Sequence, residues 1–189
     1  MAGHSVLVER AYSDLIMANS TALLADITYH GQPLELPYPA SHVWGMTLYP
    51  LTILVMAEGD LLASAGANAS RSTASEARWT MSVLVAVNAV QDSADRFMFE
   101  RSSNLRDLMV ARVARLILSN PRLQMGDYTL GFDERSPMMV VDSSQYWEGS
   151  DREEEAVILG AMLRWGVESP VIALDPFSAE FAAMILREE

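Results

Sequence analysis

The stretch WTMSVLVAVN (Trp79–Asn88), a short turn, and then NLRDLMVARVARLILSNPRL (Asn104–Leu123) decide the fold. In the first part Trp79, Met81, Val83, Val85 and Val87 alternate with Thr80, Ser82, Leu84, Ala86 and Asn88. A period of two, rich in β-branched residues, predicts a strand with one face buried and the other mostly buried too. In the second part Leu105, Leu108, Met109, Val113, Leu116 and Ile117 fall at helical spacing, while Arg106, Arg112 and Arg115 lie off that stripe. Ser102 or Ser103 is placed to cap the first amide groups, and Asn120-Pro121 stops the helix, because a residue before proline disfavours helical angles. Strand and helix together form a core unit.

Upstream, residues 5 to about 24 predict a first helix, with Val8, Tyr12, Leu15, Ile16, Asn19 and Leu23 as its stripe and Ser5 or His4 as its cap. Prolines and glycines break the text from Thr28 to Pro50, leaving short extended pieces at Ile27–Tyr29 and Val43–Leu48. Leu51–Met56 alternates as a strand, and residues 58–77 then lose periodicity in a run of Ala, Ser, Gly and Asn, read either as a floppy hairpin tip or as an interface arm. Downstream, Tyr128–Phe132 and Met138–Val141 read as strands around a turn at Asp133–Pro137, and Val157–Val167 as a longer one. Gly160 and Gly166 in that last strand point to a close backbone approach or a bulge. Between these strands lies an acidic tip with Glu148, Asp151, Glu153, Glu154 and Glu155. After Pro170 an apolar piece, Val171–Leu174, precedes Asp175-Pro176, a helix-start signature, and the stripe Phe177, Phe181, Met184, Ile185.

The totals narrow the function. Of 189 residues, 50% are hydrophobic and 20% charged, which specifies a folded chain whose apolar excess would serve oligomer interfaces or a generous core. A net charge of −12 opposes docking on nucleic acid, though an acidic surface that repels DNA and lets it slide past is compatible with it. The cations are all Arg; with no Lys, Schiff-base chemistry, the P-loop lysine and Ser–Lys dyads are excluded. With no Cys, disulfides and thiolate catalysis are excluded too. No signal peptide is evident, and no apolar run approaches the roughly 20 residues that span a membrane.

Candidate chemistry is sparse. His4, His30 and His42 have no ligand spacing, so no metal or other cofactor is expected. The acidic run reads as a solvated hairpin end before it reads as a cation site. Asp142-Ser143-Ser144 lacks a nearby His and the glycine-flanked serine elbow. The chain therefore reads as a non-enzyme.

The order of elements, with the helix ending in SNPRL (Ser119–Leu123) and the helix–strand junction Leu116–Leu130, resembles the tail terminator proteins of long-tailed bacteriophages over residues 5 to 168. The resemblance implies a homohexameric ring in the neck region of a virion tail. That ring would cap the last tail-tube ring, stop polymerisation and join the head connector, with DNA passing through the lumen unbound. It implies no catalytic residues. The expected fold is α+β: a mostly antiparallel sheet with the central amphipathic helix packed on it, plus N-terminal and C-terminal helices. Residues 1–168 would be one ring-forming domain and 169–189 an extension. Interface or lumen candidates are Glu58, Asp60, Asp151, Glu153, Glu154, Glu155, Phe177 and Phe181. Rival readings are another head-to-tail connector, a tail-tube subunit, or a dimeric cellular module that recognises a basic partner.

Overall fold

A computed structural model of the chain describes residues 2–39, 49–60, 76–90, 98–125, 128–143, 145–148 and 155–170. Among these the fold is α+β, with helices α1 (Ala2–Ala18), α2 (Ser20–Leu23) and α3 (Met98–Leu118) and a mostly antiparallel, curled sheet. A two-stranded ribbon, β1 (Thr28–Tyr29) and β2 (Gln32–Pro33), stands apart from it. The main sheet contains β3 (Leu51–Asp60), β4 (Glu76–Val90), β5 (Arg122–Met125), β6 (Tyr128–Phe132), β7 (Met139–Asp142), β8 (Gln145–Glu148) and β9 (Glu155–Pro170). Its backbone is β3-β4-β9, with β4 and β9 paired without a break from Glu76–Pro170 to Val90–Ala156.

Strict alternation sorts the side chains of these three strands. Ile53, Val55, Met81, Val83, Val85, Leu163 and Val167 share one buried face. There α1 packs on β3 and β5, and α3 packs on β4 and β9. Because α1 reaches both ends of the strand order, the sheet curls around the helix side. Tyr12 of α1 meets Trp165 of β9 edge to face, with ring centroids 5.2 Å apart, and Phe132 stacks on Trp165 at 6.1 Å. Arg112 ties the helices together by donating to the carbonyls of Leu23 (2.7 Å) and Ala25 (2.9 Å) at the end of α2. The opposite face of the sheet is also buried at Thr52, Leu54, Ser82, Ala86 and Asn88, as the residue types of Trp79–Asn88 require.

Several boundaries differ from the sequence reading. Helix α3 begins at Met98, so Ser102 and Ser103 lie inside it and do not cap it; Ser102 is buried and its Oγ lies 2.6 Å from the Tyr29 hydroxyl. Leu108, read as part of the apolar stripe, is exposed, and Val110 takes a buried place instead. Helix α1 includes Ala2, which rules out Ser5 or His4 as its cap. Residues 58–60 and 76–77, read as loop, extend the β3–β4 hairpin, because cross-strand hydrogen bonds hold polar residues in a ladder that periodicity does not mark. Strands β5 and β8 were not expected as separate elements. Strand β9 runs through Pro170, past the expected boundary at residue 168. The extended piece at 43–48 and the C-terminal helix, with Phe177 and Phe181, lie outside the described residues.

The second edge of β9 is assembled from pieces. β6, β7 and β8 follow one another along it, all antiparallel. Gly131 faces Glu168 and Met139 faces Arg164, eight residues on one chain against four on the other, so the turn between them inserts four. That turn folds onto Gly166: Asp133 N–H donates to the Gly166 carbonyl and Gly166 N–H to the Ser136 carbonyl, both at 2.9 Å. Arg135 N–H donates to Asp133 Oδ1, also at 2.9 Å. A Cβ on Gly166 would lie 2.5 Å from Ser136 Cβ; one on Gly160 would lie 2.9 Å from the Ser143 carbonyl oxygen. Both glycines serve the close approach that their positions implied.

Candidate interaction surface

Three features of the described residues could meet another molecule: an open groove, charged side chains at the Glu58 end of the sheet, and the exposed strand β7. The groove, about 880 Å³, runs between the turn at Asp26–Gly31 and the first half of α3. His30 (φ 51°) and Gly31 (φ 75°) form the two-residue turn joining β1 to β2, whose mirror-image geometry needs positive φ at both positions. This turn sets the His30 ring against Tyr29, with centroids 4.3 Å apart. Arg101, Asn104, Leu105 and Leu108 form the opposite wall. The nearby hydroxyls of Tyr29 and Ser102 are buried against each other, 2.6 Å apart. Among the described residues, no three His, Asp or Glu side chains converge to hold a metal.

The described acidic candidates lie at opposite ends of the sheet, Glu58 and Asp60 at one and Glu155 at the other. Glu58, near the end of β3, is 72% exposed and lies 3.5 Å from the guanidinium of Arg164. Asp60 ends β3 opposite Arg78, which itself pairs with Glu168 at 3.2 Å. This end of the sheet therefore mixes acids with Arg78 and Arg164, two residues that sequence reading passed over. Their alternate positions on strands that face each other were the available signal, visible only once the register is known. Glu155 begins β9 opposite Glu148, at the far end of the sheet. Through Thr80, Glu58 is level with Gly166, so at roughly 3.3 Å per residue about 36 Å of strand separate it from Glu155. Asp151, Glu153 and Glu154 lie outside the described residues, as do Phe177 and Phe181.

The third feature is apolar and was not foreseen as a site. Met139, Val140 and Val141 of β7 are all exposed, Val140 at 61%. Beside them Arg106 of α3, itself well covered, lies 2.8 Å from Asp107 and 3.8 Å from Asp142. Phe99, Leu108 and Leu118 add exposed apolar side chains along α3. A Met-Val-Val run reads as core in a sequence; it is exposed here because it forms a border strand paired on one side by β9. Comparison with models of known protein families and with curated protein sequences gives no match for this chain.

Proposed function

We propose that the chain is a structural subunit of the tail terminator kind. It would assemble as a ring on the end of a phage tail tube, stop tube growth and offer a surface to the head-side connector. The observation that supports this most is the exposed apolar surface of β7 and α3, at Met139, Val140, Val141, Phe99, Leu108 and Leu118, on a chain whose composition already carries apolar residues in excess. Exposed apolar side chains in this number, three of them consecutive in β7, are what contacts between proteins use. The layout of helix, long hairpin, helix and antiparallel strands agrees with the order of elements on which the resemblance rests.

In this reading the net charge of −12 lets DNA pass a ring that offers phosphates few cations. The protein then binds duplex DNA only weakly even at low salt, and tight salt-sensitive binding would contradict it. Electron microscopy of the purified chain, alone and mixed with growing tail tubes, tests the proposal. Single closed rings that halt tube growth support it. Long stacks would instead make the chain a tube subunit, and particles no larger than dimers would favour a cellular binding module. Deleting residues 62–74 should preserve folding and impair tail joining; unimpaired joining would remove that segment's role as an arm.

A further inference from the structure

Asn104, Leu108, Ala111, Arg115 and Leu118 are all exposed and recur along α3 at intervals of four, three, four and three residues. That spacing lines them up along one side of the helix, as a seam on which a second helix packs. Leu108 is 42% exposed and Leu118 56%, while the buried side of α3 packs on β4 and β9. Charge is ordered about the middle of this seam. Asp107, at its edge, lies four residues before Ala111, and Arg115 lies four residues after it. Asp107 meets Arg106 through Oδ1 at 2.8 Å, and its side chain is still 63% exposed. Arg112, by contrast, is held by the carbonyls of Leu23 and Ala25. The first half of the seam borders the open groove, which Asn104, Leu105 and Leu108 line together with Ile27 and Tyr29.

We infer that α3 pairs antiparallel with α3 of a second copy of the chain, across a twofold axis at Ala111. The occupant follows from charge complementarity within one helix. Turned about Ala111, Asp107 of each copy falls level with Arg115 of the other, so two ion pairs flank a small residue at the closest approach. Leu108 falls level with Ala114, and Leu118 level with Asn104, at the mouth of the groove. Glu100 and Arg101 reach past Leu118, the last residue of the second helix. Other arrangements are worse. A parallel pair sets Asp107 against Asp107 and Arg115 against Arg115, and aligns the two helix dipoles instead of opposing them. An antiparallel axis at Leu108 sets Arg101 against Arg115, one at Arg115 sets two arginines face to face, and one midway between Ala111 and Arg115 sets Arg115 against Ala111. A contact of this kind is isologous and closes as a dimer, so it goes beyond the head-to-tail ring and stands without it.

The chain has no cysteine, so Ala111→Cys places a single thiol per copy on the axis. Packed helices keep their axes about 8–10 Å apart with Cα atoms about 2.3 Å from each axis, which brings two Cα atoms on a twofold within disulfide range. Under mild oxidation this variant is expected to become a disulfide-linked dimer, while Val140→Cys, 61% exposed on β7, stays monomeric. Equal cross-linking of the two variants, or none, overturns the inference. Arg115→Asp turns each ion pair into a repulsion, so sedimentation should show the dimer dissociation constant raised about tenfold or more. Asp107→Arg combined with Arg115→Asp restores opposite charges and should return the constant to the parent's value; no recovery overturns the register. These residues are all exposed, so circular dichroism should match the parent in every variant. Closed rings without the cross-link would end this inference and leave the ring reading standing, and cross-linked dimers without rings would do the reverse.

Discussion

The two flanks of β9 were built to opposite specifications. On one side β4 pairs with it continuously from Glu76–Pro170 to Val90–Ala156, and one face of the pair, with Met81, Val83, Val85, Leu163 and Trp165, is buried on the helix side. On the other side three short strands share the work, a four-residue insertion interrupts them at Gly166, and the middle strand is exposed. One flank thus fixes the fold; on the other, β6 still joins the core through Leu130 and Phe132, while β7 carries exposed residues. Stability and assembly can then be altered separately, by substitutions on opposite sides of a single strand.

The largest effect should come from the core that β9 shares with the helices. Trp165 is 2% exposed and touches both Tyr12 and Phe132. Trp165→Ala should cost about 3–5 kcal/mol in denaturant unfolding, the usual range for an aromatic cavity. Val140→Ala, on the edge, should change unfolding by no more than about 0.5 kcal/mol. Comparable losses at the two positions would break the contrast between flanks.

Next in size is a pH effect confined to the same core. Burial pushes the Tyr12 phenol from its ordinary 10.0 up to about 12, with Trp165 beside it offsetting part of the rise. The folded state favours the neutral phenol, so its contribution is complete below pH 10 and is lost as pH climbs through 12. A shift of that size corresponds to roughly 2–3 kcal/mol of stability lost across the interval. Urea midpoints measured at both ends of that window should converge in Tyr12→Phe and diverge in the parent. An equal alkaline loss in both would place its cause elsewhere.

The broken flank has its own stability determinant. Gly166→Ala would press a methyl group against Ser136 Cβ and Asp133 Cβ, neither of which is the far end of a flexible side chain. Thermal unfolding should show a loss of about 1–3 kcal/mol, in the range for overpacking.

How far the sequence could be read follows the same division. Val83, Val85, Met109 and Val113 were legible because burial on one face imposes a period, of two in a strand and near 3.6 in a helix. The ends of β3 and β4 were not, since Glu58, Asp60 and Glu76 belong to the sheet only through hydrogen bonds to a partner strand. Gly160 and Gly166 signalled a close approach, but what approaches them is set by the inserted turn. For the candidate surface the sequence carried less. Charge was taken as the mark of an interface, yet Glu58 lies beside Arg164, and the exposed apolar run sits in a strand that composition assigns to the interior.

That pairing gives the smallest and most specific test. Arg164 and Glu58 lie 3.5 Å apart across β4, with side chains 41% and 72% exposed. A double-mutant cycle of Glu58→Ala and Arg164→Ala should return a coupling of about 0.2–1 kcal/mol, fading in high salt, as solvated pairs do. The same cycle bears on the lumen reading. If Glu58 served chiefly to repel DNA, Glu58→Ala would raise DNA retention at low salt, and Arg164→Ala, which leaves the carboxylate alone, would lower it. If the pair only braces the uncovered face, both variants weaken the fold slightly and equally, and DNA binding does not move. Opposite signs in the two DNA measurements would make this end of the sheet a working surface, a role that the exposed border strand otherwise holds.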